Sequence, residues 1–216
     1  MIMLMNTGGV AETNCFLIGD ETAKEAVLFD APDHTSDLLL AEAEKRELQI
    51  VGLWLTHGHF DHFADHVVVT RKFPAAKVLI HEEDAPKLEN PDLQTRLFGL
   101  PFDIPPRTPD GFVTEGQQLS LGSLRVTVMH TPGHSPGHVA YYFPKEGLLV
   151  GGDLIIGGSV GRTDLPDSQH RELEASVRKV MALPETTRLL GGHGRPTTLA
   201  HERRTNLFVQ EILESA

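Results

Sequence analysis

Residues 50–62 read IVGLWLTHGHFDH. The apolar run from Ile50 to Leu55 is short and bounded, which predicts a buried strand. Thr56 ends it, and four potential metal ligands follow: His57, His59, Asp61 and His62. Side chains spaced this way cannot all share one face of a helix or of a strand. They fit a loop at a strand end that leads into a helix. There, positions i and i+2 converge on one metal, while i+4 and i+5 converge on a second. Imidazole nitrogen and carboxylate oxygen are good zinc ligands, and they also suit iron and manganese. A solvated, histidine-rich loop is the competing reading, but this ligand density straight after an apolar strand argues against it.

Working outward, further candidates also follow strand-like runs. His134 lies in TPGHSPGH (131–138), Asp153 follows LLVGG (148–152), and His193 follows RLLGG (188–192). Glycine beside each permits a tight turn and close backbone approach. Twelve residues are histidine, the commonest metal ligand near neutral pH.

The surrounding chain narrows the class. At 216 residues with 40% hydrophobic and 23% charged content, it suits a single domain spanning 1–216 with one sizeable core. A formal charge of −11 with no basic cluster longer than Arg203-Arg204 excludes a nucleic-acid partner. No apolar run approaches the ~20 residues of a membrane span. The N-terminus has no basic region ahead of its apolar residues, so it reads as a first strand rather than a secretion signal. The lone Cys15 rules out an internal disulfide and favours a cytoplasmic setting. It reads as a small buried hydrophobe.

Periodicity predicts strands at 13–18, 25–30, 50–55, 77–80, 118–121, 124–130, 138–143, 147–151 and 188–190. Helices are expected at 35–48, 62–72, 169–182 and 199–214. The proline-rich stretch 84–112 reads as a long loop, or a partly helical excursion, over the surface. The pattern suits two sheets packed face to face with helices outside.

Taken together, THGHFDH, TPGHSPGH, GGD and GGHG, in this order, resemble the metallo-β-lactamase superfamily over nearly the whole chain. Within it, the nearest likeness is to short bacterial glyoxalase II (hydroxyacylglutathione hydrolase). The early Asn14-Cys15, the segment Gly161-Arg162-Thr163-Asp164 and the ending HGRPTTLAHERRTNLF carry that likeness. The resemblance implies an α/β (α+β) fold, a four-layer αββα sandwich. It implies two divalent metal ions, zinc first, with iron or manganese as alternatives. His57, His59 and His134 would hold one metal, and Asp61, His62 and His193 the other. Asp153 would bridge them, and Asp30 would steady the site from behind.

The implied activity is thioester hydrolysis, with S-lactoylglutathione or a related acyl thioester as the small-molecule substrate. Two metals about 3.5–4 Å apart lower the pKa of a bound water from 15.7 towards about 7, and the hydroxide so formed attacks the carbonyl. Asp61 and Asp153 would be the catalytic carboxylates. Arg162 is a candidate for substrate contact, or else bonds to Asp164; Arg195 is a further substrate candidate.

The chain departs from the family at several points. Asp30 is followed by Ala31-Pro32 where Pro-Gly is usual. An aromatic hydroxyl is usual at Arg195, and Leu207 replaces a proline. Only 23 residues follow His193, too few for the helical domain that binds glutathione in full-length glyoxalase II. The alternatives are a persulfide dioxygenase with one iron on His57, His134 and Asp153, and a lactone or β-lactam hydrolase. Oligomeric state is left open. Of the other histidines, His66 and His138 read as supporting residues, and His81 as a candidate for the site's edge. His34, His130, His170 and His201 read as surface or structural, and Trp54 as core.

Overall fold

A computed structural model of the chain describes residues 1–215. The first half comprises β1 (Ile2–Gly8), β2 (Thr13–Asp20), β3 (Glu25–Phe29), α1 (Ser36–Lys45), β4 (Gln49–Trp54), α2 (His66–Lys72), β5 (Lys77–Ile80), α3 (Ala85–Glu89), α4 (Asp92–Phe98) and β6 (Gly111–Phe112). The second comprises β7 (Gln118–Leu121), β8 (Leu124–His130), β9 (Val139–Phe143), β10 (Leu148–Gly152), α5 (His170–Met181), β11 (Arg188–Gly191), β12 (Thr197–Thr198), α6 (Leu199–Thr205) and α7 (Leu207–Glu214). One sheet runs β1-β2-β3-β4-β5-β6 and the other β12-β11-β10-β9-β8-β7. Both are mixed: α1 and α2 return the chain for the parallel pairs β3–β4 and β4–β5, and α5 does so for β10–β11.

Period-2 alternation sorts the apolar residues into three separate cores. Along β2, Cys15 and Leu17 face α1 and α2, while Phe16 and Ile18 face the other sheet. Along β9, Val139, Tyr141 and Phe143 enter the core between the sheets, while Ala140 faces α5 and α7. On α5, Leu173, Val177 and Val180 recur at i, i+4 and i+7 and bury one stripe. Three cores separate four layers, so the αββα sandwich of the metallo-β-lactamase fold is what the sequence builds. Trp54 packs edge-on to Phe29 at 5.5 Å between the sheets, and Cys15 is buried. Among the described residues, no helix is long and apolar enough to cross a membrane.

Three expectations are refined. Of the two readings of 84–112, the partly helical excursion holds: α3 and α4 form within it. The helix expected from 62 starts at His66, because Phe60–His62 wind as a 3₁₀ turn. The C-terminal helix breaks at Asn206, whose extended backbone ends α6 and whose side chain accepts from the Phe208 and Val209 amides to cap α7.

Candidate metal centre

The strand ends of both sheets meet at one edge of the sandwich. β4 delivers the 57–62 segment from the first sheet; β8, β10 and β11 deliver His134, Asp153 and His193 from the second. The backbone joins the sheets here, Val139 N donating to Thr56 O at 2.8 Å. The Tyr141 hydroxyl donates to Leu55 O at 2.9 Å.

All seven residues expected as ligands converge. His59 Nδ1 lies 3.0 Å from His57 Nε2 and 2.9 Å from His134 Nε2. The opposite ring nitrogens fix the tautomers. His134 Nδ1 donates to Arg162 O at 2.9 Å. The Thr56 hydroxyl gives its proton to Asp30 Oδ2 at 2.9 Å, so it accepts from His57 Nδ1 at 3.0 Å. Both Nε2 atoms are therefore bare lone pairs, and one proton on His59 Nδ1 could satisfy only one of them. Burial, followed by the neighbouring imidazoles, holds His57 well below the ordinary histidine pKa. The same causes, led by burial and His134, hold His59 at about 4. Neutral imidazoles with lone pairs turned on a common point are a cation's coordination shell.

A second group adjoins the first. His62 Nδ1 donates to Asp30 Oδ2 at 2.8 Å, which turns the ring's other nitrogen, Nε2, toward the second group. That atom is buried without a hydrogen-bond partner, as is Asp153 Oδ1. His62 Nε2 lies 3.5 Å from Asp61 Oδ2 and 3.5 Å from Asp153 Oδ1. His193 Nε2 lies 3.5 Å from Asp61 Oδ2 and 3.2 Å from Asp153 Oδ2. Asp153 Oδ2 is also 3.5 Å from His134 Nε2, so this carboxylate stands between the two groups. Orphaned buried atoms of this kind call for an explanation, and a divalent cation in each group supplies one. The donor set therefore fits two metals.

A further set of residues holds these ligands in place. Asp30 sits at φ 59°, a left-handed conformation, and accepts from Thr56 N at 2.8 Å, from Thr56 Oγ1 and from His62 Nδ1. Thr13 Oγ1 donates to Asp61 Oδ2 at 2.6 Å. Asn14 Nδ2 ties down the last histidine's loop through Gly191 O and Gly194 O. His138 Nε2 accepts the Asp153 amide at 3.0 Å, and its Nδ1 meets Thr131 Oγ1 at 2.8 Å. Burial holds His138 at about 3, so it stays neutral. Asp84 accepts from Gly58 N at 2.8 Å, Ser135 Oγ at 2.6 Å and Gly137 N at 3.0 Å, tying the two loops of the three-imidazole group together. At Gly192 a Cβ would collide with Asp153 Oδ1, so only glycine fits.

Above the ligands lies an open cleft of about 250 Å³, with Phe98 and Arg162 on its walls. A larger hollow along Arg188, Pro196 and His201 holds none of the ligand candidates. Arg162 is on the cleft and also clamps Asp164 through both carboxylate oxygens, at 2.6 and 2.7 Å. Arg195 is not on this cleft; it lines a separate hollow with Gly157 and Glu202. His66 turns away to bond Pro105 O. His81 stacks on His130 at 4.2 Å and joins Glu83 in a separate cluster rather than edging the cleft.

A family model described as the metallo-beta-lactamase superfamily matches residues 8–193, from the end of β1 to His193. The hydroxyacylglutathione hydrolase GloC of Haemophilus influenzae is 33% identical over 92% of this chain and 93% of its own. Among solved structures, the protein BLEG-1, described as a B3 metallo-beta-lactamase, is 34% identical. It superposes with a TM-score of 0.88 over 96% of this chain and 99% of its own. The protein TTHA1623, solved in a di-iron-bound form, is 39% identical, with a TM-score of 0.84 over 95% and 99%.

Proposed function

The chain belongs to the metallo-beta-lactamase superfamily, and from that premise we propose that this metal-dependent hydrolase cleaves an acyl thioester, S-lactoylglutathione or a relative of it. The observation that carries the reading is the approach of His57 Nε2 and His134 Nε2 to within 3.0 Å of His59 Nδ1, beside the unpartnered His62 Nε2 and Asp153 Oδ1. The likeness to a hydroxyacylglutathione hydrolase supports the thioester.

His57, His59 and His134 would hold one divalent metal, and Asp61, His62 and His193 the other, with Asp153 shared. Zinc suits the set, and iron and manganese suit it too. When bound, the pair supplies an acidified water and Lewis-acid pull on a carbonyl. The protein does the rest. Asp61, oriented by the Thr13 hydroxyl, is placed to accept a proton or a hydrogen bond at the cleft floor. Asp153 is fixed through its amide by His138. Arg162 stands on the wall where a substrate's polar end would lie. The net reaction adds water across the C–S bond, releasing a carboxylic acid and a thiol.

The test is S-lactoylglutathione hydrolysis by purified protein of measured metal content, with oxygen uptake on glutathione persulfide followed in parallel. Lactate and thiol released without oxygen uptake support the hydrolase. One iron per chain with oxygen uptake and no thioester cleavage moves the assignment to the persulfide dioxygenase. The likeness to BLEG-1 favours a β-lactam as the second reading. Opening of a chromogenic cephalosporin by the same sample, with thioesters inert, would replace the first.

A further inference from the structure

Beside the metal cleft the surface continues into an apolar groove of about 320 Å³. One wall is α4, where Leu93 and Leu97, one turn apart, are 70% and 64% exposed and Phe98 stands next to them. The facing wall is Leu165 and Pro166, just past Arg162. His59, Phe98 and Leu165 line both the groove and the metal cleft, so the two form one surface.

The wall is fixed relative to the ligands. Gln94, on the inner face of α4, accepts from Phe60 N and donates to Gly58 O, both at 2.9 Å. Single exposed leucines are ordinary, but contiguous apolar surface opening onto a site with convergent polar groups marks a ligand subsite. The nearby cations are already engaged. Lys87 lies 2.7 Å from both Asp84 and Asp167, and Arg162 is clamped by Asp164. An anionic group entering the groove would find no free cation, whereas a hydrocarbon chain would find carbon on both sides.

We propose that this groove is an acyl subsite: the thioester sets its carbonyl over the histidine–aspartate cluster and lays an unbranched apolar acyl chain between α4 and Leu165–Pro166. The inference rests on the thioester reading above and narrows it, from short hydroxylated acyl groups to chains of several methylenes. Water adds at the carbonyl carbon, the C–S bond breaks, and the proton goes to the departing thiolate, leaving a fatty acid and a thiol.

The test is a ladder of S-acyl-N-acetylcysteamine thioesters, acetyl to octanoyl, with thiol release measured on metal-loaded protein. A fully buried methylene is worth about 0.8 kcal/mol, or roughly fourfold. In a half-open groove about twofold per methylene is expected, so kcat/KM for octanoyl should exceed that for acetyl by on the order of 50-fold. Leu97→Ser should flatten this slope. Leu207→Ser, at a 74% exposed leucine on α7, should not. A flat ladder, or one unchanged by Leu97→Ser, overturns the inference while leaving thioester hydrolysis standing. Calorimetric binding of alkanoates reads the groove without turnover. If no thioester is cleaved, yet octanoate binds about tenfold tighter than butanoate and Leu97→Ser removes the difference, the groove stands and the thioester reading falls. Equal affinities overturn the groove.

Discussion

At the scale of single residues, the site is decided by where protons sit. His57, His62 and His134 each spend one ring nitrogen on a protein acceptor, and that choice aims the other nitrogen at the metal position. Asp153 has no such freedom, since its oxygens face both groups. Asp153→Ala should leave less than one tightly held metal per chain and abolish nearly all hydrolysis. A variant that keeps both metals and its rate would refute the shared-ligand role. Asp30→Asn replaces the acceptor of the His62 Nδ1 proton and should weaken metal binding at the His62 group by about 10–100-fold in a chelator competition. Unchanged affinity would mean that Asp30 only shapes the turn. The seven ligand candidates were legible because four fall within six residues and the others follow glycine-flanked strands. Asp84 and Thr13 were not, because each acts on a partner far along the chain. Thr13 and Asp61 are 48 residues apart, and Asp84 and Gly137 are 53 apart, and no local pattern records such pairs.

At the scale of elements, Asp84 matters most outside the ligands. It stands between the 3₁₀ turn at Glu82–Asp84 and α3, and it pins the loops after β4 and β8 to each other. Burial alone would raise its pKa. The Lys87 ammonium and the hydrogen bonds from Ser135 and Gly58 outweigh burial and bring the pKa down from 3.8 to about 2. A folded-state pKa below the unfolded one means stability that is fully present above about pH 4 and lost as pH falls towards 2. Asp84→Asn should therefore cost about 2 kcal/mol in urea unfolding at pH 7, and the gap to the parent should shrink as pH falls through that window. A constant gap would assign the loss to packing instead. Strands β2 to β5 and β7 to β11 and the main helices followed from periodicity, whereas β6 and β12, two residues each, are too short to show one. Within 84–112 the partly helical reading held, but the places of α3 and α4 could not be read, because they are too short to establish a period and are held by tertiary bonds such as those of Gln94. The break at Asn206 escaped notice because one capping side chain interrupts an otherwise continuous helical pattern.

At the scale of the whole molecule, the ligands come from both sheets, so a bound metal pair joins the two halves at one edge of the sandwich. The three cores hold the layers together without it, and the protein should remain folded when stripped. Metal that binds the native state alone, present at 100 times its Kd, adds about 2.7 kcal/mol. For a chain of this size that corresponds to about 5–10 °C in Tm. Exhaustive chelation should lower Tm by that amount and restored metal should recover it; an unchanged Tm would show that the ligand atoms satisfy one another without a cation. The most direct measurement of the binuclear site is a titration of stripped protein with zinc, following bound metal and thioester hydrolysis in the same cuvette. Hydrolysis should rise until two equivalents are bound per chain and then level off. Full activity at one equivalent, or activity in the absence of bound metal, would contradict it.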